Sequence, residues 1–418
     1  MTKTTPFWWD HAPPAPIERP PLPKTADLVV VGSGYTGLHA ALPVARAGRS
    51  VVVLEAGQPG QGCSTRNGGQ ISTAIKPGLA TLARRHGADT ARAILAEGVA
   101  SRRFVERFVR DEGIACDFSA CGRFHAAAHP RAFAALARIA DGARITLVPR
   151  ARQHEELGTD RYHGGAVFHD HAALDPGRYH AGLLDRVRAA GALIAPDTPA
   201  RTLDEDGAGV RVGTPHGAIR ARDVVLATNG YGGPLSPWHR ARIVPVGSYL
   251  VATEPLAPDL VARLFPTGRI ASDSRRVVYY YRPSPDGRRV LFGGRVSAGE
   301  VAPQVSARRL HAAMADVFPE LAGAAISHSW MGFVGYSFDT LPHTGRRGRI
   351  HHAMGYCGSG VGMASYLGMK AGLRVLDDPA GETALSAPDF PARPLYRGRP
   401  WFLPAMVETY RLLDRLGL

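Results

Sequence analysis

Residues 27–31, Asp-Leu-Val-Val-Val, form a short apolar run that ends directly on Gly32-Ser33-Gly34-Tyr35-Thr36-Gly37. A helical stretch to Gly48 comes next, and then a second run, Val51-Val-Val-Leu54. Strand, tight turn, helix and strand in so short a span require a parallel pair with a right-handed crossover. The turn fits G-x-G-x-x-G: Gly32 permits the tight turn, Gly34 lets a pyrophosphate approach the backbone, and Gly37 lets the helix pack close to the strand. The free N–H groups of the helix start, including those of Tyr35 and Thr36, favour an anion. Glu55 closes the second run 23 residues past Gly32, beside Ala56. A carboxylate there can accept from both hydroxyls of a ribose, so the unit reads as a dinucleotide site. Pro43 falls inside the helix, where a kink is expected two turns beyond the glycines.

The 418 residues are too many for one ordinary core and imply two domains. A composition of 45% hydrophobic and 21% charged residues is that of a soluble globular chain. The net charge of +14 would suggest a nucleic-acid partner, but the 50 basic residues are mostly scattered arginines, in pairs such as Arg84-Arg85 and Arg308-Arg309, and never form a basic arm. No nucleic-acid partner is expected. The four cysteines are too few and too irregular for a disulfide framework, and no C-x-x-C pair offers a metal site. With no signal pattern and no stretch of 18 apolar residues, a cytoplasmic protein without a membrane span is expected.

Residues 1–25 read as an extended, proline-rich leader pinned to the body by Trp8 and Trp9. Beyond it the chain divides into alternating pieces. Residues 26–110, 172–242 and 325–380 are expected to share the dinucleotide domain. Residues 111–171 and 243–324, with the strands Val277–Arg282 and Val290–Phe292 around the turn Pro285-Asp-Gly287, read as an antiparallel substrate domain. Residues 381–418 form a tail ending in an amphipathic helix with Phe402, Met406, Tyr410 and Leu413 on its apolar face.

An adenosine–pyrophosphate grip serves both NAD and FAD, so the choice rests on the residues beyond Glu55. A second glycine-rich loop, residues 60–70, could lay backbone amides along a flavin. The strand Asp223–Thr228 ends in Thr228-Asn229-Gly230, and Gly355-Tyr-Cys-Gly-Ser-Gly-Val-Gly362 opens another helical stretch. Its amino terminus could stabilise negative charge on a reduced flavin.

The segments GSGYTGLHAA, VVVLEAG, STRNGGQ, LDPGRYHAGL, ATNGY, YYYRPSPDGRRVLFGG, WMGFVGYSFDTLPHTG and GYCGSGVG occur in that order. Together they resemble the FAD-dependent D-amino-acid oxidase superfamily, and within it the gamma-glutamylputrescine oxidoreductases and related amine oxidases. The resemblance covers about residues 5 to 380. It implies an α/β chain, α+β overall, with a split Rossmann-like FAD-binding domain and a substrate domain on a mixed, largely antiparallel sheet. It implies that Ser64, Arg66, Asn67, Gly68, Gly69 and Gln70 lie near the pyrophosphate and flavin. Gly358, Ser359, Gly360, Val361 and Gly362 would cover the pyrimidine side of the ring, with Gly332 and Pro342 nearby. Relatives that tether FAD use a histidine in the loop after the second strand or a cysteine near Trp330-Met-Gly332; Arg66-Asn67 and the absence of a cysteine around Trp330 imply noncovalent FAD. The implied reaction oxidises a C–N bond of a small-molecule amine or amino acid, with hydride passing to the flavin and the imine then hydrolysing. Oxygen is the expected acceptor, with a quinone or another electron carrier as the alternative.

No catalytic base is nominated and no metal site is expected, His169-Asp-His171 reading as polar loop. For the substrate, alternation puts Tyr279 and Tyr281 on one face of a strand and Tyr280 and Arg282 on the other. Tyr279, Tyr281 and Arg282 are candidates for an aromatic and cationic pocket, with interface packing and a solvated arginine as the competing reading. Trp330 is placed on the pocket wall rather than in the core.

Overall fold

A computed structural model of the chain describes residues 2–295, 297 and 299–417. Thr25–Val31 lies at the centre of an eight-stranded sheet, parallel to Val51–Leu54 on one side and to Gly217–Leu226 on the other, with Val29 opposite both Val52 and Val224. Leu193–Ala195 and Ile350–Met354 continue the parallel order outward. Both faces of the central strand are covered: Leu28 and Val30 join the core beneath the helices, while Val29 and Val31 join a second cluster with Val210, Val212 and Leu226. This two-sided burial explains the unbroken valine runs.

The first helix, Tyr35–Arg46, packs along a late helix, Gly360–Val375. A Cβ on Gly368 would run into Thr36 O and one on Gly372 into Ala40 O, so the backbones touch and the two helices run in the same direction. The first helix continues through Pro43, whose ring is seated against Gly372.

The second sheet has the edge-to-edge order Ile326–Tyr336, Val244–Thr253, Val290–Gly294, Tyr279–Pro283, Ile270–Asp273, Arg123–Ala126, Gly165–Phe168 and Ile145–Val148. Its neighbours are antiparallel except for Ile270–Asp273 with Arg123–Ala126. One face carries Phe124, Val251, Tyr281 and Phe292 against the helix Pro303–Val317 through Leu310, Met314 and Val317.

Three expectations need correction. Ile326–Tyr336, expected in the dinucleotide domain, pairs instead along Val244–Thr253 in the second sheet, covering what would otherwise be a long exposed edge. The leader is not wholly extended: Phe7–Asp10, between Pro6 and Pro13, close a short 3-10 turn, and Lys3 pairs with the sheet through Lys3 N to Ser327 O (2.8 Å) and Ser329 N to Lys3 O (2.9 Å). The last helix, Leu403–Leu416, buries Leu403 and Val407 and leaves Tyr410 exposed, so its inward face is rotated from the one expected. That rotation lets the Asp414 carboxylate accept from the backbone N–H groups of Arg276 (2.8 Å) and Val277 (3.0 Å).

Candidate FAD and substrate site

Gly32, with φ +104°, donates its N–H to Leu54 O at 2.8 Å and passes so near the strand end that a Cβ would lie 3.2 Å from Ala227 O. A Cβ on Gly37 would collide with Gly32 O, so only glycine lets the helix start there. At Gly34 the helix has no capping bond from its own cap residue; Ser64 Oγ instead accepts from Tyr35 N at 3.0 Å. The side chains of Tyr35 and Thr36 point into protein, where Tyr35 donates to Pro176 O (3.0 Å) and Thr36 meets the Tyr356 hydroxyl (2.7 Å). Thr36 therefore offers only its backbone to a ligand, and the Tyr35 N–H, expected to be free, is taken by Ser64. The Glu55 carboxylate accepts from Ser33 N (2.9 Å), Ser33 Oγ (2.6 Å) and Ala56 N (2.8 Å), which holds it at the mouth of the turn.

The second loop is folded onto itself and clamped from outside. Asn67 donates to Cys63 O (3.1 Å) and Ser64 O (2.9 Å) and accepts from Gly69 N (2.8 Å). Trp9 Nε1 donates to Thr65 Oγ1 at 2.9 Å, and Arg66 lies over the Trp9 ring at 5.0 Å. The Arg66 guanidinium also donates through Nε to Gln61 O (2.7 Å). Gly68 lies against Tyr280, Gly69 against Leu174 O, and Gln70 reaches across to Tyr281 O (3.2 Å).

The late helix begins in a more open place. A Cβ added at Gly358 or Gly360 would meet nothing within 4 Å, and Ser359 makes no side-chain cap but donates to Ala74 O (3.0 Å). The N–H groups that open this helix, around Val361 and Gly362, are therefore without a side-chain cap. Since Gly368 is level with Thr36, the second residue of the first helix, the late helix starts about seven residues earlier along the shared direction, about 10 Å. Two parallel helix termini set that far apart suit a pyrophosphate and the anionic end of a flavin ring. Burial pushes the Cys357 thiol up to about 11, which keeps it protonated and fits a space-filling role.

Other expected cofactor positions brace the site. Asn229, at φ +42°, accepts from Gly355 N (2.9 Å), and Gly230 packs against Phe333 and Gly335 beside Thr228. Gly332 passes beneath the second loop, where a Cβ would sit 3.2 Å from both Arg66 Cβ and Cys63 Sγ. Pro342 is buried ahead of the strand His343–Arg347. Among the described residues no cluster of His, Cys, Asp and Glu could hold a metal ion, and no helix is long and apolar enough to cross a membrane.

The expected pocket residues are largely structural. Tyr281 stacks on Phe292 at 5.2 Å and donates to the Tyr162 hydroxyl (3.1 Å), while Tyr279 packs on Phe292 at 5.3 Å; both belong to the helix-covered side of the sheet. Trp330 is buried with Phe7, Trp8, Leu250 and Leu291 and donates to Arg66 O (3.0 Å), so it supports the loop from below. Arg282 is on the loop-facing side, but its guanidinium is buried and donates to Leu174 O (3.0 Å) and Gly69 O (3.3 Å).

The sheet face turned toward the loops was missed. Its register aligns Trp330, Leu250, Gly293, Tyr280, Ser272 and His125 in one row, with Ser248 bonded to the Tyr280 hydroxyl (2.9 Å) and Ser272 to His125 Nδ1 (2.9 Å). The alternation Arg123-Phe-His-Ala126, which puts Arg123 and His125 opposite the buried Phe124 and Ala126, was the available signal.

A family model described as FAD dependent oxidoreductase, DAO, matches residues 27–372. The chain belongs to this family. Like other DAO-family members it is an FAD-dependent oxidoreductase acting on amines or amino acids. Over 405 residues it is 30% identical to the gamma-glutamylputrescine oxidoreductase of Escherichia coli (strain K12), spanning 94% of each chain. It is 29% identical over 430 residues to the probable oxidoreductase OrdL of Rhizobium meliloti (strain 1021), covering 98% of this chain and 97% of the relative. Among solved structures, glycine oxidase from Geobacillus kaustophilus superposes with TM-score 0.73 at 19% identity, covering 89% of this chain and 99% of that one. L-proline dehydrogenase from P. horikoshii gives 0.70 at 18% identity, covering 87% and 96%. Those two likenesses establish the DAO fold. The glycine turn, the glycine contacts between the two helices and the open start of the late helix fit the family's FAD.

Proposed function

We propose that this DAO-family chain oxidises the C–N bond of an amine of the gamma-glutamylputrescine kind, with noncovalently held FAD and with oxygen as acceptor. The observation that carries this reading is the face of the second sheet turned toward the loops suited to FAD, apolar at Trp330 and Leu250 and polar from Tyr280 through Ser272 to His125. The 30% identity to a gamma-glutamylputrescine oxidoreductase along almost the whole chain supports the substrate class. Bound FAD supplies the hydride acceptor.

The protein's part is binding, orientation and exclusion of water. The N–H groups opening the first helix would hold the pyrophosphate and Glu55 the adenosine ribose. The uncapped start of the late helix would stabilise negative charge at the pyrimidine end of the ring. The sheet face would orient the amine, and no side-chain base is required if the substrate arrives as free amine. Cys63 lies against Gly332, but burial pushes its thiol up to about 11, which disfavours the thiolate a covalent tether needs. All four cysteines are free, which supports a reducing cytoplasm.

Anaerobic addition of amines to the yellow protein tests the reading: bleaching is expected, with colour returning in air. Bleaching without recolouring would transfer the acceptor role to a quinone or carrier. A colourless protein that binds NAD and no flavin would overturn the proposal.

A further inference from the structure

The last helix carries apolar side chains on its outward face as well as on its inward one. Nine large apolar side chains are exposed among the described residues, and five of them, Leu395, Trp401, Tyr410, Leu412 and Leu416, fall within residues 395–416. Single exposed leucines are ordinary, whereas a cluster marks a surface that meets something apolar. In Leu403–Leu416 the buried Leu403 and Val407 define the inward side. At about 100° per residue, Ala405, Leu412 and Leu416 share the opposite side, and all three are exposed. Trp401 stands exposed just ahead of them. A helix packed on its own body ordinarily carries charged and polar residues there.

The segment is anchored in this posture. Tyr396 is buried and donates its hydroxyl to Ile243 O (2.6 Å), its ring lies 5.9 Å from Phe402, and Phe402 meets Trp401 edge-on at 5.7 Å. Each anchor is next in sequence to an outward side chain: Leu395 is 86% exposed and Trp401 66%. Leu395 also has φ +64°, a left-handed conformation that is uncommon for a branched apolar residue.

Charge selects the partner. Residues 391–418 contain Arg393, Arg397, Arg399, Arg411 and Arg415 against Glu408 and Asp414. Glu408 pairs with Arg411 at 2.7 Å, and Asp414 is turned inward onto the N–H groups of Arg276 and Val277. Arg397, Arg399 and Arg415 are exposed and make no ion pair among the described residues. The surplus outward charge is therefore positive. A symmetric contact with a second copy would bring the same arginines together, which disfavours it. A phospholipid surface suits every feature: anionic headgroups attract arginine, while tryptophan and leucine enter the boundary between headgroup and acyl chain.

We propose that Trp401 and the outward face of Leu403–Leu416, together with Leu395, dock this protein on an anionic lipid surface, the helix lying in its plane without crossing it.

Co-sedimentation of the FAD-loaded protein with vesicles of phosphatidylglycerol and phosphatidylethanolamine, beside vesicles of phosphatidylcholine alone, tests the docking. Binding to the anionic vesicles is expected, weakening as salt is raised. It should be about tenfold weaker in the double variant Leu412→Ser, Leu416→Ser. A chain of net charge +14 will adhere to anionic vesicles through arginine alone, so a second readout measures insertion. Brominated acyl chains are expected to quench tryptophan fluorescence in the wild type and not in Trp401→Phe. Flavin absorbance reports folding, and Trp401→Ser decides by co-sedimentation if the double variant holds no flavin. A wild type that stays in the supernatant overturns the proposal and leaves the outward face to a protein partner. Undiminished binding by the serine variants without quenching overturns it as adhesion by charge. A dimer in sedimentation velocity that the double variant dissociates, with no vesicle binding, assigns the face to a second copy.

Discussion

The indole N–H of Trp8 donates to the carbonyl of Asn67 at 2.8 Å, joining the leader to the loop expected to cover the flavin. Trp8 is fully buried, and Asn67 is the residue that folds this loop on itself. The leader is therefore part of the cofactor site's scaffold. Trp8→Phe keeps most of the ring and loses one hydrogen bond of about 1 kcal/mol, so FAD should bind roughly fivefold more weakly. Trp8→Ala should also lower stability by about 3–5 kcal/mol through the cavity it opens. Fluorescence titration of the apoprotein with FAD, beside denaturant melts of both variants, checks the two effects separately.

Glu55 is held open-handed at the glycine turn by Ser33 and Ala56. Hydrogen bonds to a charged group contribute about 1.5–3 kcal/mol each, so Glu55→Ala should weaken FAD by at least tenfold. It should do so more than Arg282→Ala, because that guanidinium is occupied by backbone carbonyls. Equal FAD retention in the two variants after gel filtration would remove Glu55 from the ribose role.

His39 is buried against Phe104 and Phe108, with Nε2 2.8 Å from the Tyr179 hydroxyl, and burial pulls its ring down to about 3. Because this value is below the ordinary 6.5, the unfolded chain takes up the proton first as the pH falls. The neutral ring's stabilising contribution is thus present above pH 6.5 and lost progressively toward about pH 3. The loss is at most about 1.4 kcal/mol per pH unit. His39→Gln should flatten the slope of unfolding free energy against pH in that window, whatever it does to stability at neutral pH. An unchanged slope would exclude this histidine as a source of acid sensitivity.

Asp414 holds the last helix by accepting two backbone N–H groups in the connection just before the strand Tyr279–Pro283. Asp414→Ala leaves both donors to water and should release the helix at a cost of about 1–3 kcal/mol. Limited proteolysis should then cut the tail after about residue 400 faster than in the wild type, with FAD content unaltered.

The cofactor end was legible because its constraints are local. Gly32 is required by its own positive φ and Gly37 by a contact within the turn itself, and Glu55 lies at the end of the adjacent strand. The substrate end depends on parity and on distant partners. In Val277–Arg282 every residue is large, so nothing in the run says which face is covered, and a one-residue change of parity exchanges the two. The answer lies in Gly293 and Gly68, whose missing side chains make room for the Tyr280 ring. Trp330 was misplaced for a related reason: its burial is set by Phe7 and Trp8, more than 300 residues earlier in the chain.

The glycine contacts between the first and late helices have a consequence for how such a protein can change. With backbone seated on backbone at Thr36–Gly368 and Ala40–Gly372, neither of these two contacts has a side chain that could be lengthened or shortened. The offset between the two helix starts, one suited to a pyrophosphate and the other to a flavin ring, therefore works as a fixed gauge. The row across the second sheet is built of side chains at nearly every step. If that row orients the amine as proposed, new substrates would be accommodated by exchanging residues there, one strand at a time, while the gauge stays the same.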